Sequence, residues 1–131
     1  MEEEKKKIIL LVEDDQSLIE MYQKKFTVEG FSISTAANGE EGLRIALSTH
    51  PDLILLDILM PKMGGMEMMQ KLREDPWGKD VPIIILTNLD ADDQIIQKVI
   101  EDHPAYYLMK TISDPAEIVE KVKAILGMHL H

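Results

Sequence analysis

Residues 51–61 read Pro51-Asp52-Leu53-Ile54-Leu55-Leu56-Asp57-Ile58-Leu59-Met60-Pro61. Four consecutive apolar residues, Leu53 to Leu56, run straight into a carboxylate. An unbroken apolar run this short suits a strand buried on both faces of a parallel sheet, where no face is left to water. The pattern recurs at Ile8–Val12, Ile83–Leu86 and Tyr106–Met109. Phe31–Ala36 differs: Phe31, Ile33 and Thr35 alternate with polar or small residues, which predicts a strand nearer a sheet edge.

Helical patterns fill the intervals. Leu18, Ile19, Tyr22 and Phe26 recur at helical spacing after Asp15. Asn38 with Glu41 three residues on reads as a helix start, with Leu43, Ala46 and Leu47 as its buried face. Met68, Met69 and Leu72 give a shorter face ahead of Asp75-Pro76, and Asp90 can cap a helix carrying Ile95, Ile96, Val99 and Ile100. Asp114-Pro115-Ala116-Glu117 opens a last helix with a cap, a proline and an acid. Its face is Ile118, Val119, Val122, Ile125 and Leu126, and Gly127 ends it. The order β-α-β-α-β-α-β-α-β-α predicts an α/β fold, a parallel sheet with helices on both faces.

Length and composition agree with one domain spanning 1–131 and no second, output domain, since the pattern is complete near Leu126. The chain has 131 residues, 45% hydrophobic and 29% charged, enough to hold a core without staples. Cysteine is absent, which excludes disulfides, thiolate metal sites and cysteine nucleophiles. Fourteen Lys and Arg against 24 Asp and Glu give a net charge of −10. That balance argues against direct nucleic-acid binding and against anionic membrane surfaces. No apolar run reaches the ~20 residues of a membrane span, and the charged start lacks the apolar stretch of a signal peptide. A cytoplasmic setting is expected.

In parallel α/β sheets ligands bind beyond the carboxyl ends of the strands. The residues there are Glu13-Asp14-Asp15 after the first strand, Asp57 after the third, Thr87 after the fourth and Lys110 after the fifth. Taken singly, each has a bland reading: Asp14 or Asp15 as a helix cap, Asp57 as a turn residue, Thr87 and Lys110 as nothing in particular. Taken together, Glu13, Asp14 and Asp57 put three carboxylates in one place, costly unless a cation sits among them. Few carboxylates, with room for water and a phosphoryl oxygen, favour Mg²⁺. A metal, a lysine and a hydroxyl around a free carboxylate make a receptor for a phosphoryl group carried on that carboxylate.

In these residues the chain resembles the receiver domain of bacterial two-component response regulators. The resemblance rests on Ile9-Leu10-Leu11-Val12-Glu13-Asp14-Asp15, Thr35-Ala36-Ala37-Asn38-Gly39-Glu40-Glu41, the stretch 51–61, Val81-Pro82-Ile83-Ile84-Ile85-Leu86-Thr87 and Tyr107-Leu108-Met109-Lys110. It implies a doubly wound, flavodoxin-like fold: a five-stranded parallel sheet in the order 2-1-3-4-5 with five helices. It implies Asp57 as phosphoacceptor. Mg²⁺ would be held by Asp14, by Glu13 mostly through water, by Asp57 and by the backbone carbonyl of Leu59. Thr87 and Lys110 would bind the phosphoryl group, Tyr107 would be the aromatic that follows Thr87, and Asp15 would cap the first helix. The partners implied are a sensor histidine kinase or a histidine phosphotransfer protein, and a downstream protein.

The sequence departs from the family pattern in places. Thr111 follows Lys110 where proline is usual, which predicts a trans bond. Asn88 follows Thr87 where a smaller residue is usual. Met63-Gly64-Gly65 lacks the usual acid, which predicts a looser start to the third helix. His103-Pro104 precedes the last strand where Gly-Ala is common. Leu59 and Leu89, at positions the family uses to tune phosphoryl lifetime together with Asn88, offer no polar atom to orient water, so slow self-dephosphorylation is expected. Ile95, Ile96, Ile100 and Tyr106 are expected on the partner surface built by the fourth helix, fifth strand and fifth helix. Trp77, at the far end from the acids, is expected to pack locally. His50 and His103 read as loop residues, and the methionines between Met60 and Met69 as core.

Two other readings compete. A pseudo-receiver would bind partners without phosphorylation. A Mg²⁺-dependent phosphatase with an aspartate nucleophile would need a second Asp where Leu59 stands.

Overall fold

The structure, a computed structural model, describes residues 6–57, 64–87, 106–109 and 115–127, with Thr87 and 106–109 described by their backbone. Five parallel strands form one sheet: β1 (Ile8–Val12), β2 (Ser32–Ala36), β3 (Leu53–Asp57), β4 (Ile83–Thr87) and β5 (Tyr106–Met109), in the order β2-β1-β3-β4-β5. Helices α1 (Gln16–Val28), α2 (Gly39–Thr49), α3 (Gly65–Arg73) and a C-terminal helix (Pro115–Ile125) are described. The expected helix around Ile95–Ile100 lies outside the described residues. The third and fourth strands each run one residue further than the apolar pattern predicts, so Asp57 and Thr87 are the last residues of strands and not the first of loops.

The sheet divides two cores. Leu10, Val12, Ile54, Leu56, Ile83 and Ile85 face α2 and α3. Ile9, Leu11, Leu53, Leu55, Ile84 and Leu86 face α1 and the C-terminal helix. Alternation thus exists along β1, β3 and β4, but both faces are covered, which is why the sequence shows unbroken apolar runs. Leu53 to Leu56 are all fully buried. Each contributes about 1.5–3 kcal/mol on burial, against about 0–1 for an exposed ion pair, so apolar packing sets this fold. Asp52 fixes how β3 meets β1: its Oδ2 accepts from Ile8 N at 2.7 Å, and its own N–H donates to Ile8 O at 2.8 Å.

Helix α1 buries Ile19, Tyr22 and Phe26 at helical spacing. Gly30, at φ 93°, turns the chain so that Phe31 N donates to Phe26 O and the two rings meet edge-on, 5.3 Å apart. Helix α2 differs from expectation: Leu47 is 38% exposed, while Gly42 and Ala46 face the sheet. An added Cβ on Gly42 would lie 2.9 Å from Val12 Cγ2 and 3.0 Å from Met68 Sδ. The helix therefore seats closely on its glycine, and that seating turns Leu47 outward. Helix α3 follows an N-cap at Gly64 that makes no side-chain cap hydrogen bond. Met68 and Met69 are fully buried and Met66 partly so, in keeping with a core reading.

At the amino ends of the strands, His50 leaves α2 in the left-handed region, φ 49°, and stacks on Trp77 at 4.3 Å and 9°. Asp75 Oδ1 accepts from Trp77 N and Gly78 N, while Arg73 donates to Gly78 O at 2.7 Å and Val81 O at 2.9 Å. Burial lowers the pKa of the Arg73 guanidinium, and nearby Asp80 opposes that shift.

Candidate metal and phosphoryl site

The sheet register brings the carboxylates together. Val12 pairs with Ala36 on one side and Leu56 on the other, so the residues that follow, Glu13 and Asp57, leave adjacent strands at the same level. Glu13 N donates to Ala36 O at 2.9 Å, which extends the β1–β2 ladder one step beyond the strand and holds Glu13 in place. Glu13, Asp14 and Asp57 each offer a carboxylate oxygen, and these oxygens lie within 4.8 Å of one another. Glu13 is 1% exposed and Asp57 6%, whereas Asp14 faces solvent.

Each acid has its own surroundings. Glu13 Oε2 accepts from Asp14 N at 3.1 Å and Asp15 N at 3.3 Å, so the carboxylate folds back over its own turn. Its Oε1 is buried and takes no hydrogen bond from the described residues. Asp15 stands apart from the cluster and caps α1, accepting from Ser17 N and Leu18 N, as expected. At this spacing two carboxylates repel by a few kcal/mol at an effective dielectric of about 20. Burial of the Glu13 and Asp57 carboxylates adds a desolvation cost. One cation among the three removes both penalties. An all-oxygen donor set with one member open to solvent suits a hard cation that keeps part of its water, which is the habit of Mg²⁺. The site therefore fits the metal its chemistry calls for.

The other expected site residues are placed by the backbone or lie outside the described residues. Asp57 pairs with Leu86, so Thr87 ends β4 one step beyond Asp57, on the neighbouring strand. Tyr106 and Tyr107 lie in β5, opposite Ile84 and Ile85, and Met109 pairs with Thr87. Lys110 follows directly in the chain but lies outside the described residues, as do Leu59, Asn88, Leu89, Ile95, Ile96, Ile100, His103 and Thr111. One contributor escaped the sequence reading: the Ala36 carbonyl, which anchors Glu13. A backbone acceptor leaves no mark in side-chain identity, so only strand register could have revealed it.

The chain matches the family described as "Response regulator receiver domain" over residues 9–123. It is 36% identical over 116 residues to a "Probable transcriptional regulator ycf27" of Cyanidium caldarium, covering 87% of this chain and 44% of that protein. Among solved structures, it resembles a putative response regulator from Chloroflexus aurantiacus: TM-score 0.83, 31% identity, 94% of this chain and 99% of that one. It also resembles the receiver domain of the sensor histidine kinase PA1611 from Pseudomonas aeruginosa, which has a magnesium ion coordinated in its active-site cleft: TM-score 0.83, 26% identity, 94% and 99% coverage. The chain spans less than half the length of the curated relatives it matches.

Proposed function

The chain belongs to the response regulator receiver family, and on that premise we propose that it is a switch thrown by a phosphoryl group on Asp57. The observation that carries the reading is the cluster itself: a nearly buried Asp57 at a strand end, within 4.8 Å of the carboxylates of Glu13 and Asp14. A buried acid beside two others is held for chemistry that supplies positive charge.

In this reading an Asp57 carboxylate oxygen attacks the phosphorus of a phosphohistidine on a sensor kinase or phosphotransfer protein. The new P–O bond forms as the P–N bond breaks and the imidazole leaves. Asp14, Glu13, Asp57 and the Leu59 carbonyl would hold Mg²⁺, whose contribution is to neutralise charge on the phosphoryl oxygens. Thr87 would donate its hydroxyl to the phosphoryl group, and Lys110 would pair with it as a point charge. Tyr107, two strand positions short of the Thr87 partner Met109, would follow Thr87. The resulting change would be read by a downstream protein on a surface including Ile95, Ile96, Ile100 and Tyr106. Leu59, Leu89 and Asn88 would set a long phosphoryl lifetime.

The domain acts here as a phosphoacceptor, not as an enzyme with turnover on a separate substrate. Residues 1–131 would form one receiver domain, working in the cytoplasm. No helix among the described residues is long and apolar enough to cross a membrane. The net charge of −10 speaks against nucleic-acid contact by these residues. The phosphatase reading lacks its general acid, because Leu59 stands at that position.

The test is intact mass after incubation with Mg²⁺ and a small acyl phosphate, beside Asp57→Asn. A gain of one phosphoryl group in the parent alone is the expected result. No gain, with Mg²⁺ binding shown separately by calorimetry, would favour the pseudo-receiver and point to Asn88 and Thr111.

A further inference from the structure

We propose that Asn38 is a site of spontaneous self-modification, in which the backbone nitrogen of Gly39 converts the asparagine into aspartate and isoaspartate at a rate set by the first turn of α2. The chain has two asparagines, Asn38 and Asn88. Asn38 precedes Gly39, whose missing side chain leaves the backbone nitrogen open to the asparagine Cγ. Asn88 precedes Leu89, whose branched side chain obstructs the same approach.

The fold places the pair where the reaction is possible but gated. Gly39 begins α2, so its N–H is among those with no acceptor inside the helix. Asn38 is half-buried and extended, φ −157° and ψ 172°, and its Oδ1 accepts from Glu41 N at 2.9 Å. Its backbone carbonyl accepts from Gly42 N at 2.9 Å. The Glu41 bond holds the side-chain amide in its cap position at the start of the helix. Attack therefore needs the cap to open.

The chemistry balances with water as the only co-reactant. Hydroxide takes the Gly39 amide proton, the nitrogen bonds to Asn38 Cγ, and the Cγ–N bond breaks to release ammonia. The cyclic imide then adds water at one of its two carbonyls and opens to aspartate or isoaspartate. The mass rises by about one dalton and one negative charge appears. Aspartate keeps the cap, since its carboxylate accepts from Glu41 N as well as the amide does. Isoaspartate inserts a carbon into the backbone two residues after Ala36, whose carbonyl anchors Glu13, and it loses the cap.

The experiment is peptide mapping by mass spectrometry on the full chain, held for weeks in warm, mildly alkaline buffer, folded and in urea. Asn38 is expected to convert in both samples, about tenfold more slowly when folded, the factor a cap of ordinary strength imposes. Asn88 should stay unchanged over the same period. Glu41→Pro removes the cap donor and should bring the folded rate toward the urea rate. Three results would overturn the proposal: an unmodified Asn38 in the folded chain after it has converted fully in urea, equal folded and urea rates, or Asn88 converting as fast as Asn38. If Glu41→Pro does not fold, the parent's folded-to-urea ratio carries the test. Asn38→Asp supplies the aspartate standard.

Discussion

Lys123 donates a 2.8 Å hydrogen bond to Glu29, so the C-terminal helix holds the carboxylate that closes α1. A carboxylate at a helix carboxyl end faces the negative end of the helix dipole. Lys123, with Lys25 at 3.9 Å, offsets that cost. The Lys123 hydrogen bond, then its charge, holds the Glu29 pKa below the usual glutamate value. A depressed folded-state pKa contributes stability above the unfolded value, and that stability is lost as pH falls through the folded value. Lys123→Met should therefore lower the urea midpoint at neutral pH. The difference from the parent should vanish below the carboxylate range and shrink in high salt. An equal difference at both pH values would show that Lys123 acts through its apolar stem.

The acidic cluster makes a prediction without any phosphodonor. Mg²⁺ that binds only the folded state raises the melting temperature, by an amount that grows with the logarithm of its concentration. Adding a chelator should reverse the shift. Asp57→Asn relieves repulsion among the three carboxylates, so the metal-free variant should melt above the metal-free parent. The same variant should gain less from Mg²⁺. Thermal scans of both proteins with and without Mg²⁺ check the crossing; parallel behaviour would mean that Asp57 does not share the ion.

Arg73 satisfies the carbonyls of Gly78 and Val81 at once. Replacing it with methionine keeps much of the apolar stem and strips both acceptors of a charged donor. A cost of about 1–3 kcal/mol is expected, read as a lower denaturant midpoint. Arg73→Lys should recover only part of it, because a point ammonium does not reproduce the planar fork. Full recovery by lysine would mean that one of the two bonds is idle.

His50 combines a left-handed backbone with a ring stacked on Trp77. His50→Ala loses the stack, worth about 0.5–1.5 kcal/mol, and keeps a Cβ where glycine is preferred. His50→Gly loses the stack but relieves the backbone by about 1 kcal/mol, so it should lie close to the parent. The expected stability order is His50→Gly above His50→Ala. Trp77 is the single tryptophan, so its fluorescence should change in both variants while Mg²⁺ changes it little, the acids being at the opposite end of the sheet.

Much of this architecture was readable in advance, for reasons specific to each element. The apolar runs at Ile8–Val12 and Leu53–Leu56 announced strands because burial on both faces removes alternation. Ser32–Ala36, at the sheet edge, kept it. Glu13, Asp14 and Asp57 could be grouped because parallel strands in register end together. Leu47 misled because spacing groups it with Leu43 and Ala46, and only the close seat at Gly42 shows which way the helix is turned. The Glu29–Lys123 tie joins residues 94 positions apart, a separation that no local pattern encodes. The Arg73 clamp and the Ala36 anchor end on backbone carbonyls, which every residue possesses.

The strand order also governs how the chain is exposed while it is being made. Residues 8–57 supply β2, β1 and β3, three neighbours in the sheet, and β4 and β5 are added afterwards on one side. A nascent chain that has reached Asp57 can pair three strands, but its newest edge is Leu53–Leu56, an unbroken apolar run with a row of open backbone groups. Such an edge is a template for pairing with other chains. The interval between synthesis of β3 and of β4 is thus the window in which this protein is most open to aggregation, and the point at which a chaperone would have most to cover.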